Sequence, residues 1–227
     1  AVLSLLIWLY LIFLHGNFWQ AGPILAPRTG LSHPDVAIVV PARDEAEIIQ
    51  ASMRSLLAQT YPGAFRVILV DDNSTDGTGD LARSLGDPRL TVIAGAERPP
   101  GWSGKLWAVQ QGLAETGAAE LVLLTDADIL HDARHLETLV AHAQDNDLDL
   151  VSEMVELACD SAAERALVPA FVFFFQLLYP FEHVNTPASR TAAAAGGTIL
   201  IRRRTLERTR GVEAVRGALI DDVALAR

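Results

Sequence analysis

Residues 67–77 have the sequence VILVDDNSTDG, and this stretch decides the fold. The uninterrupted apolar run Val67–Val70 is typical of a strand that is buried on both faces of a parallel sheet. The run ends in Asp71 and Asp72, and turn-forming residues follow. Ligands of open α/β sheets bind beyond the carboxyl ends of the strands. The segment therefore predicts an α/β protein with an acidic ligand site at this sheet edge.

A second acidic pair follows a second apolar run. Leu121–Leu124 precede Thr125, and Asp126, Ala127 and Asp128 come next. In an extended backbone, Asp126 and Asp128 point to the same face, and two carboxylates this close raise each other's pKa unless a cation lies nearby. Mg²⁺ and Mn²⁺ are held by one or two carboxylates together with ligand phosphates. We therefore expect a divalent metal here that holds a phosphorylated ligand.

Composition excludes some classes of protein. The chain has 227 residues, which suits one large α/β domain with or without a small appendage. A formal charge of −10 argues against a nucleic-acid-binding protein, since phosphate backbones require an excess of Lys and Arg. The single cysteine, Cys159, excludes an internal disulfide framework and suits a reducing compartment.

Strand and helix patterns alternate from Val36 onward. The predicted strands are Val36–Val40, Arg66–Val70, Leu90–Ile93, Leu121–Leu124, Leu148–Val155 and Thr198–Ile201. The predicted helices are Glu45–Gln59, Gly77–Leu85, Lys105–Thr116 and Ala133–Gln144. This alternation with short loops predicts a mainly parallel, twisted sheet flanked by helices.

The N-terminal segment is unusually apolar. Ala1–Leu14 is apolar apart from Ser4, and these 14 residues are fewer than the about 20 that a membrane span requires. Because the chain does not begin with Met, we expect a further part of the protein upstream of Ala1. We interpret residues 1–20 as a membrane anchor, residues 21–34 as a linker rich in proline and glycine, and residues 35–227 as the main domain. The alternative for the first segment is a buried core helix.

A second apolar segment lies at Ala166–Phe181. It carries no charge between Arg165 and Glu182. Its aromatic residues are Phe171, Phe173, Phe174, Phe175, Tyr179 and Phe181. A helix that is apolar on all sides is either buried or faces lipid. Two interpretations stay open, namely a core element and an interfacial segment near a lipid acceptor.

Four motifs in order resemble those of family-2 glycosyltransferases with a GT-A (nucleotide-diphospho-sugar transferase) fold. The motifs are PARDE at 41–45, DDNSTDG at 71–77, GK at 104–105 and DAD at 126–128. The hopene-associated glycosyltransferases of bacterial hopanoid gene clusters are similar over further segments. These segments are PGWSGKLWA at 100–108, PAFVFFFQ at 169–176, TAAAAGG at 191–197 and GALIDD at 217–222.

The resemblance implies a binding site for a nucleotide-diphosphate sugar. The donor-binding residues that it implies are Pro41, Arg43, Glu45, Asp71, Asp72, Lys105, Asp126 and Ala127. Within this set, Asp72 with support from Asp71 would bind the base or ribose, and Lys105 would bind the diphosphate. Asp128, together with Asp126, would hold Mg²⁺ or Mn²⁺, which offsets the charge of the departing diphosphate.

The resemblance also implies the catalytic group. Asp222 would be the base that removes the proton of the acceptor hydroxyl in an inverting displacement, and Asp221 is a supporting or alternative candidate. Gly196 and Gly197 would let the backbone approach the donor or acceptor closely; an ordinary tight turn is the alternative. Members of the broad family often continue into a Gln-x-x-Arg-Trp-like segment and membrane helices, so we expect the natural protein to continue beyond Arg227.

The function that we expect is transfer of a sugar to a lipid acceptor in hopanoid metabolism. The enzyme would be located at the bacterial inner membrane, with its catalytic domain on the cytoplasmic face. The expected partners are the donor, a lipid and the membrane, and no nucleic acid. A polysaccharide synthase and a polyprenyl-phosphate glycosyltransferase are alternatives on the same fold. A non-catalytic nucleotide-sugar-binding scaffold and a nucleotidyltransferase are further alternatives.

Two other groups of residues have weaker patterns. His131 and His135 have the i, i+4 spacing of a helix face, but no Glu follows His131 as a zincin motif requires, so we assign no metal to them. Arg202–Arg204 could pair with lipid phosphates or form a solvated strand end.

Overall fold

Six strands form one mixed sheet in the order β3-β2-β1-β4-β6-β5 in the computed structural model, which describes residues 1–20, 22–30, 32–218 and 220–226. The strands are β1 (Val36–Ala42), β2 (Phe65–Asp71), β3 (Leu90–Ala94), β4 (Leu121–Thr125), β5 (Leu150–Glu153) and β6 (Thr198–Arg202). β1 pairs in parallel with β2 and β4, and β2 pairs in parallel with β3. β6 is antiparallel to both of its neighbours. The predicted mainly parallel sheet is thus confirmed, with β6 as the strand that runs against it.

The central strands are buried because they are covered on both faces. Every residue of β4 and all but one of β1 are buried, whereas the edge strands β3 and β5 are half-exposed. Ile38, Leu69 and Leu123 lie on three adjacent strands and are almost fully buried. Uninterrupted Val/Ile/Leu runs therefore mark the centre of the sheet, as expected for parallel strands.

Ten helices lie before, between and after the strands in the described part of the chain. They are α1 (Val2–Leu14), α2 (Ile49–Leu57), α3 (Thr78–Arg83), α4 (Gly104–Ala114), α5 (His135–Asp145), α6 (Ala162–Leu178), α7 (Phe181–Val184), α8 (Arg203–Thr209), α9 (Gly211–Ala214) and α10 (Asp221–Leu225). The helix predicted from Glu45 begins four residues later than expected, at Ile49. The reason is tertiary, because the Glu45 amide donates to Thr78 Oγ1 at 2.8 Å and Asp44 adopts a left-handed φ of 54°.

Contacts divide the chain into two units. The sheet unit comprises Ala26–Val155 and Ala194–Leu225 and holds all six strands. The second, which we call the apolar unit, comprises mainly Ala1–Leu25 and Glu156–Ala193.

The helices α1 and α6 of the apolar unit expose their apolar side chains. Neither helix has a buried residue, and Phe171 and Phe174 are 58% and 59% exposed. The alternative of a buried core helix is therefore wrong for both segments. Among the described residues, no helix has both the length and the apolar character to cross a membrane.

Arginines at the end of β6 serve the fold. Arg202 pairs with Asp147 at 2.8 Å and Arg204 with Asp149 at 3.2 Å. Arg203 donates to the carbonyl oxygens of Ala119 and Thr116. These bonds tie β6 and α8 to neighbouring loops at the sheet edge opposite the acidic clusters, because β6 runs antiparallel to β4.

Candidate functional site

The acidic residues meet at one edge of the sheet. β1, β2 and β4 end there and the antiparallel β6 begins there, at a point where the chain order of the strands reverses on either side of β1. Ligands of α/β sheets bind at such switch points. A cavity of about 390 Å³ opens at this edge. Its lining residues are Pro41, Ala42, Arg43, Glu45, Asp72, Gly104, Lys105, Ala108, Asp126, Ala127 and Asp128.

Adjacent aspartates at the end of β2 have different surroundings. Asp72 is buried but lines the cavity, where its Oδ2 lies 3.7 Å from Arg43 Nη1. Asp71 instead accepts a hydrogen bond from the Ser74 amide at 3.0 Å and so caps the turn. A Cβ on Gly79 would lie only 2.2 Å from Asp71 Oδ2, which shows how closely helix α3 covers this carboxylate. The structure therefore brings Asp72 to the cavity and holds Asp71 beneath it.

Two loops that form one wall of the cavity are bound to each other. Asp44 in the β1–α2 loop accepts from the Thr75 amide at 2.7 Å, and its own amide donates to Ser74 Oγ at 3.0 Å. Asp76 accepts from the Ala46 amide and from Thr78. The Thr78 and Ala46 hydrogen bonds hold the pKa of Asp76 below its ordinary value. These aspartates therefore rigidify the loops.

Glu45 lies on the cavity side of this wall. Burial raises the pKa of Glu45, and the negative charges of Asp128, Asp76 and Asp126 raise it further. The cavity is thus an environment that favours the binding of positive charge.

The Lys105–Asp126 ion pair crosses the cavity, with a distance of 2.6 Å from Nζ to Oδ1. Burial opposes the charge of Lys105, but Asp126, Asp221 and Asp222 outweigh it and raise the pKa of the lysine. Burial also raises the pKa of Asp126, as do Asp128 and Asp221, while Lys105 lowers it. Lys105 is therefore charged and paired with Asp126, while Asp221 and Asp222 add negative charge around it. A charged lysine can bind phosphate oxygens.

The carboxylate set at the end of β4 fits a divalent metal that is shared with a ligand. Asp126 and Asp128 both line the cavity, and Asp128 is exposed there. Within residues 1–20, 22–30, 32–218 and 220–226, no group of three or more His, Cys, Asp or Glu side chains forms a metal cage. Two carboxylates suit Mg²⁺ or Mn²⁺, whose remaining ligands are phosphate oxygens and waters.

A small cleft adjoins the cavity and shares Pro41, Lys105 and Asp126 with it. The cleft brings Asp221 and Asp222 of α10 beside Gly196. A Cβ on Gly196 would lie 3.1 Å from Asp222 Oδ2, so the glycine makes room for this carboxylate.

Gly197 contributes its backbone instead. Its carbonyl accepts from the Asp126 amide at 3.2 Å and from Thr125 Oγ1 at 2.9 Å. The residues predicted for the donor, the metal and the chemistry, Asp71 and Gly197 apart, therefore converge on the cavity and the cleft.

Several residues near the site were not predicted from the sequence. Gly104 and Ala108 on helix α4 line the cavity. A Cβ on Gly104 would lie 3.1 Å from Asp72 Oδ2, so this glycine keeps the space beside Asp72 open. Thr125, the residue before the DAD motif, contacts His131. The only sequence signal for this contact is the i, i+4 spacing of His131 and His135.

Comparison with protein families gives one match over most of the chain. Residues 37–210 match the family described as Glycosyl transferase family 2. This range includes β1 from its second residue, β2–β6, and both acidic clusters that follow β2 and β4.

Curated relatives match the chain over about half of its length. Glycosyltransferase AglE of Haloferax volcanii is 32% identical over 138 residues, which are 58% of this chain and 44% of AglE. The 4,4'-diaponeurosporenoate glycosyltransferase of Staphylococcus aureus is 31% identical over 120 residues, which are 52% of this chain and 31% of that protein. The chain thus spans less than half of the length of these relatives.

Solved structures share the fold. The mannosyltransferase PcManGT from Pyrobaculum calidifontis, in complex with GDP-Man and Mn²⁺, superposes with a TM-score of 0.66 and 25% identity, over 96% of this chain and 57% of that one. Staphylococcus aureus TarS 1-349 in complex with UDP superposes with a TM-score of 0.56 and 20% identity, over 85% and 54%. The predicted GT-A-type α/β fold is confirmed by these likenesses.

Proposed function

Because the chain belongs to glycosyl transferase family 2, we propose that it transfers a sugar, with inversion, from a nucleotide-diphosphate sugar to the hydroxyl group of a lipid. The observation that carries this proposal is the cavity of about 390 Å³, which is lined by Asp72 at one end of β2 and by Asp126 and Asp128 after β4. The adjoining cleft supplies Asp221 and Asp222. The proposed donor site and the proposed general base would thus be next to each other.

The nucleoside would bind on the β2 side. Asp72 can accept hydrogen bonds from a base imide or a ribose hydroxyl, and its Oδ2 lies 3.7 Å from Arg43 Nη1. Pro41, Arg43 and Glu45 line the same side. Lys105 would leave Asp126 to bind the diphosphate, and the N-terminus of helix α4 would add its amides.

Asp126 and Asp128 would hold Mg²⁺ or Mn²⁺ with the diphosphate. The metal supplies Lewis-acid stabilisation of charge on the leaving group. The complex of PcManGT with GDP-Man and Mn²⁺ supports this assignment. The protein's own part is to present two carboxylates on the turn that follows β4 and to keep Lys105 charged beside Asp126.

Asp222 would act as the base. In a single in-line displacement, the acceptor oxygen bonds to the anomeric carbon, its proton goes to the Asp222 carboxylate, and the bond from the anomeric carbon to the diphosphate oxygen breaks. The nucleoside diphosphate leaves with the electron pair. Asp222 keeps an oxygen beside Gly196 while its other oxygen accepts from the Val223 amide at 2.7 Å, so its orientation is held by the start of α10.

The acceptor would be a lipid at a membrane surface, and we propose that it is related to hopanoids. The exposed apolar side chains of α1 and α6 support a lipid environment, since such patches mark interaction surfaces. The name of the Staphylococcus aureus relative, 4,4'-diaponeurosporenoate glycosyltransferase, is consistent with an apolar acceptor. The sheet unit would then lie on the cytoplasmic face of a bacterial inner membrane, because nucleotide sugars are made in the cytoplasm.

A thermal-shift screen tests the donor and the metal together. UDP, GDP and their sugars are added to the chain with Mn²⁺, with Mg²⁺ or with EDTA. A ligand that binds only the folded state raises the melting temperature in proportion to the logarithm of its concentration over Kd. We expect a nucleotide that stabilises the protein only with metal. No shift with any nucleotide, in a protein that unfolds cooperatively, would refute the proposal.

A further inference from the structure

A chain of hydrogen bonds runs behind the DAD motif, outside the cavity. Glu153 Oε2 lies 2.7 Å from His135 Nε2, and the Nδ1 atoms of His135 and His131 are 3.1 Å apart. His131 Nε2 lies 3.2 Å from Thr125 Oγ1, which lies 2.9 Å from the carbonyl oxygen of Gly197. Four side chains therefore connect the end of β5 to the junction of β4 and β6.

These hydrogen bonds close the base of the loop that carries Asp126 and Asp128, the two carboxylates of the proposed metal site. Thr125 is the last residue of β4, and the loop Asp126–Leu130 separates it from His131. The Gly197 carbonyl, where the chain ends, also accepts from the Asp126 amide at 3.2 Å. The amide of His131 donates to Ser55 Oγ at 3.0 Å and so holds the far end of the loop to helix α2.

The number of available protons decides in which direction these hydrogen bonds are donated. Thr125 has one hydroxyl proton, and the Gly197 carbonyl 2.9 Å away can only accept. If Thr125 donates to Gly197, His131 Nε2 must carry the proton of the bond to Thr125. His131 Nδ1 is then the acceptor of a neutral ring, so His135 must donate from Nδ1. His135 also donates from Nε2 to the Glu153 carboxylate, and a ring with two N–H groups is a cation.

The opposite direction of donation leaves two oxygen atoms close together without a hydrogen bond. A neutral His135 that donates to Glu153 accepts at Nδ1, so His131 donates from Nδ1 and accepts from Thr125 at Nε2. Thr125 and the Gly197 carbonyl would then face each other at 2.9 Å without a proton between them. The observed distances thus fit a cationic His135 and a neutral His131.

The surroundings agree with these charge states. Burial and the neighbouring His135 lower the pKa of His131 to about 3, so this ring is neutral at physiological pH. The titratable groups within hydrogen-bonding distance of His135 are Glu153 from β5 and His131 itself. The neighbouring elements contribute uncharged hydroxyl groups, namely that of Ser55 from helix α2 and those of Thr125 and Thr198 from β4 and β6.

We propose that Glu153, His135 and His131 are positioning residues that hold Thr125 as a donor to Gly197 and thereby fix the Asp126–Leu130 loop for metal–nucleotide binding. This inference rests on the proposed function, because it assigns the loop to a metal. None of the three side chains is among the residues that line the cavity. They act as hydrogen-bonding partners behind a metal site, whose removal typically lowers metal affinity about 10- to 100-fold.

Glu153→Gln tests the direction of the hydrogen bonds. The glutamine amide oxygen can still accept from His135, but the substitution removes the negative charge that stabilises the His135 cation. Two-dimensional ¹⁵N–¹H NMR of the histidine rings in the full chain reports each tautomer, with His131→Gln to assign the signals. We expect His131 as the neutral Nε2–H tautomer and His135 with both nitrogens protonated at pH 7. In Glu153→Gln, His131 should change to the Nδ1–H tautomer. An Nδ1–H tautomer in the unsubstituted chain, or rings unchanged by Glu153→Gln, would overturn the proposal.

Mn²⁺ titration of the chain with GDP or UDP supplies the second measurement. We expect Glu153→Gln to weaken Mn²⁺ binding about 10-fold, whereas Glu156→Gln, which removes an exposed carboxylate three residues away, leaves it unchanged. Circular dichroism verifies that both variants are folded. Equal Mn²⁺ affinity in Glu153→Gln and the unsubstituted chain would overturn the positioning role. Absence of metal–nucleotide binding in the unsubstituted chain would overturn the proposed function itself, while the NMR result still decides the hydrogen-bond direction.

Discussion

The separate tasks proposed for single carboxylates at the sheet edge can be distinguished by substitutions. Asp128 is exposed in the cavity. We expect Asp128→Ala to weaken Mn²⁺-dependent nucleotide binding by more than about 100-fold, because even partners behind a metal ligand cost 10- to 100-fold. Calorimetric titration measures this, and Asp160→Ala, an exposed aspartate outside the sheet unit, is the control. Metal-dependent binding that survives in Asp128→Ala would remove Asp128 from the metal site.

Asp222 is the proposed base of the chemical step. We expect Asp222→Asn to lower kcat about 10²- to 10⁴-fold, the usual range for loss of a general base, with donor affinity nearly unchanged. Asp221→Asn is the matched variant, since both residues line the cleft. If Asp221→Asn loses turnover while Asp222→Asn keeps it, the two roles are reversed.

His131 makes a pH-dependent contribution to stability. Its pKa of about 3 in the folded protein lies below the ordinary value of 6.5, so the unfolded chain binds a proton below pH 6.5 that the folded chain does not. Stability is therefore lost as the pH falls from 6.5 towards 3, by about 1–2 kcal/mol at pH 5. Urea unfolding at pH 7 and pH 5 should show a smaller loss in His131→Gln than in the unsubstituted chain. Equal losses in both proteins would mean that His131 is not held neutral.

At the scale of elements, helix α4 is placed by its close contact with the sheet. A Cβ on Gly112 would lie 2.4 Å from Val39 Cγ1 of β1 and 3.1 Å from Val70 Cγ2 of β2. This contact sets the distance at which α4 crosses the sheet and thus where Gly104 and Lys105 meet the cavity. The N-cap of the same helix is Ser103, which accepts from the Leu106 amide at 3.3 Å.

Gly112→Ala should therefore destabilise the protein even though alanine favours helices. Alanine gains about 1 kcal/mol of helix propensity, but overpacking a core typically costs about 1–3 kcal/mol. The 2.4 Å approach to Val39 places the substitution at the upper end of that cost. Chemical unfolding measures the difference. Gly217→Ala, whose Cβ would be 3.4 Å from the Gly101 carbonyl oxygen, is the control and should change stability little.

At the scale of the whole molecule, the exposed side chains of the apolar unit allow the proposed contact with lipid to be tested. Leu167, Phe171, Phe174 and Leu178 on α6 are each more than half exposed. Since the chain carries a net charge of −10, its binding to vesicles of phosphatidylcholine and phosphatidylglycerol should be driven by apolar contact. We expect co-sedimentation with vesicles that does not weaken at high salt.

Removing two aromatic side chains tests this expectation. Burial of one phenylalanine contributes about 1.5–3 kcal/mol, so Phe171→Ser with Phe174→Ser should weaken vesicle binding at least about 10-fold. Ile24→Ser changes one exposed apolar residue outside the helices and is the control. Vesicle binding that disappears at high salt, or that ignores the two Phe substitutions, would count against a lipid-facing apolar unit.

The sequence by itself predicted the elements that depend on local patterns. Apolar runs without interruption located β1, β2 and β4, and the acidic residues after β2 and β4 had to meet because parallel strands end at the same sheet edge. The order of four motifs added the family, which the match over residues 37–210 confirms.

Only the tertiary structure decided which side chains face the cavity. The family resemblance favoured Asp72 over Asp71 without a physical reason, which the structure supplies: Asp71 accepts from the Ser74 amide and lies close to Gly79, whereas Asp72 lines the cavity. The start of α2, the direction of β6 and the partners of His131 also depend on hydrogen bonds between residues distant in the chain. Periodicity and motif spacing carry no information on such contacts, because they are set when separate loops pack against each other.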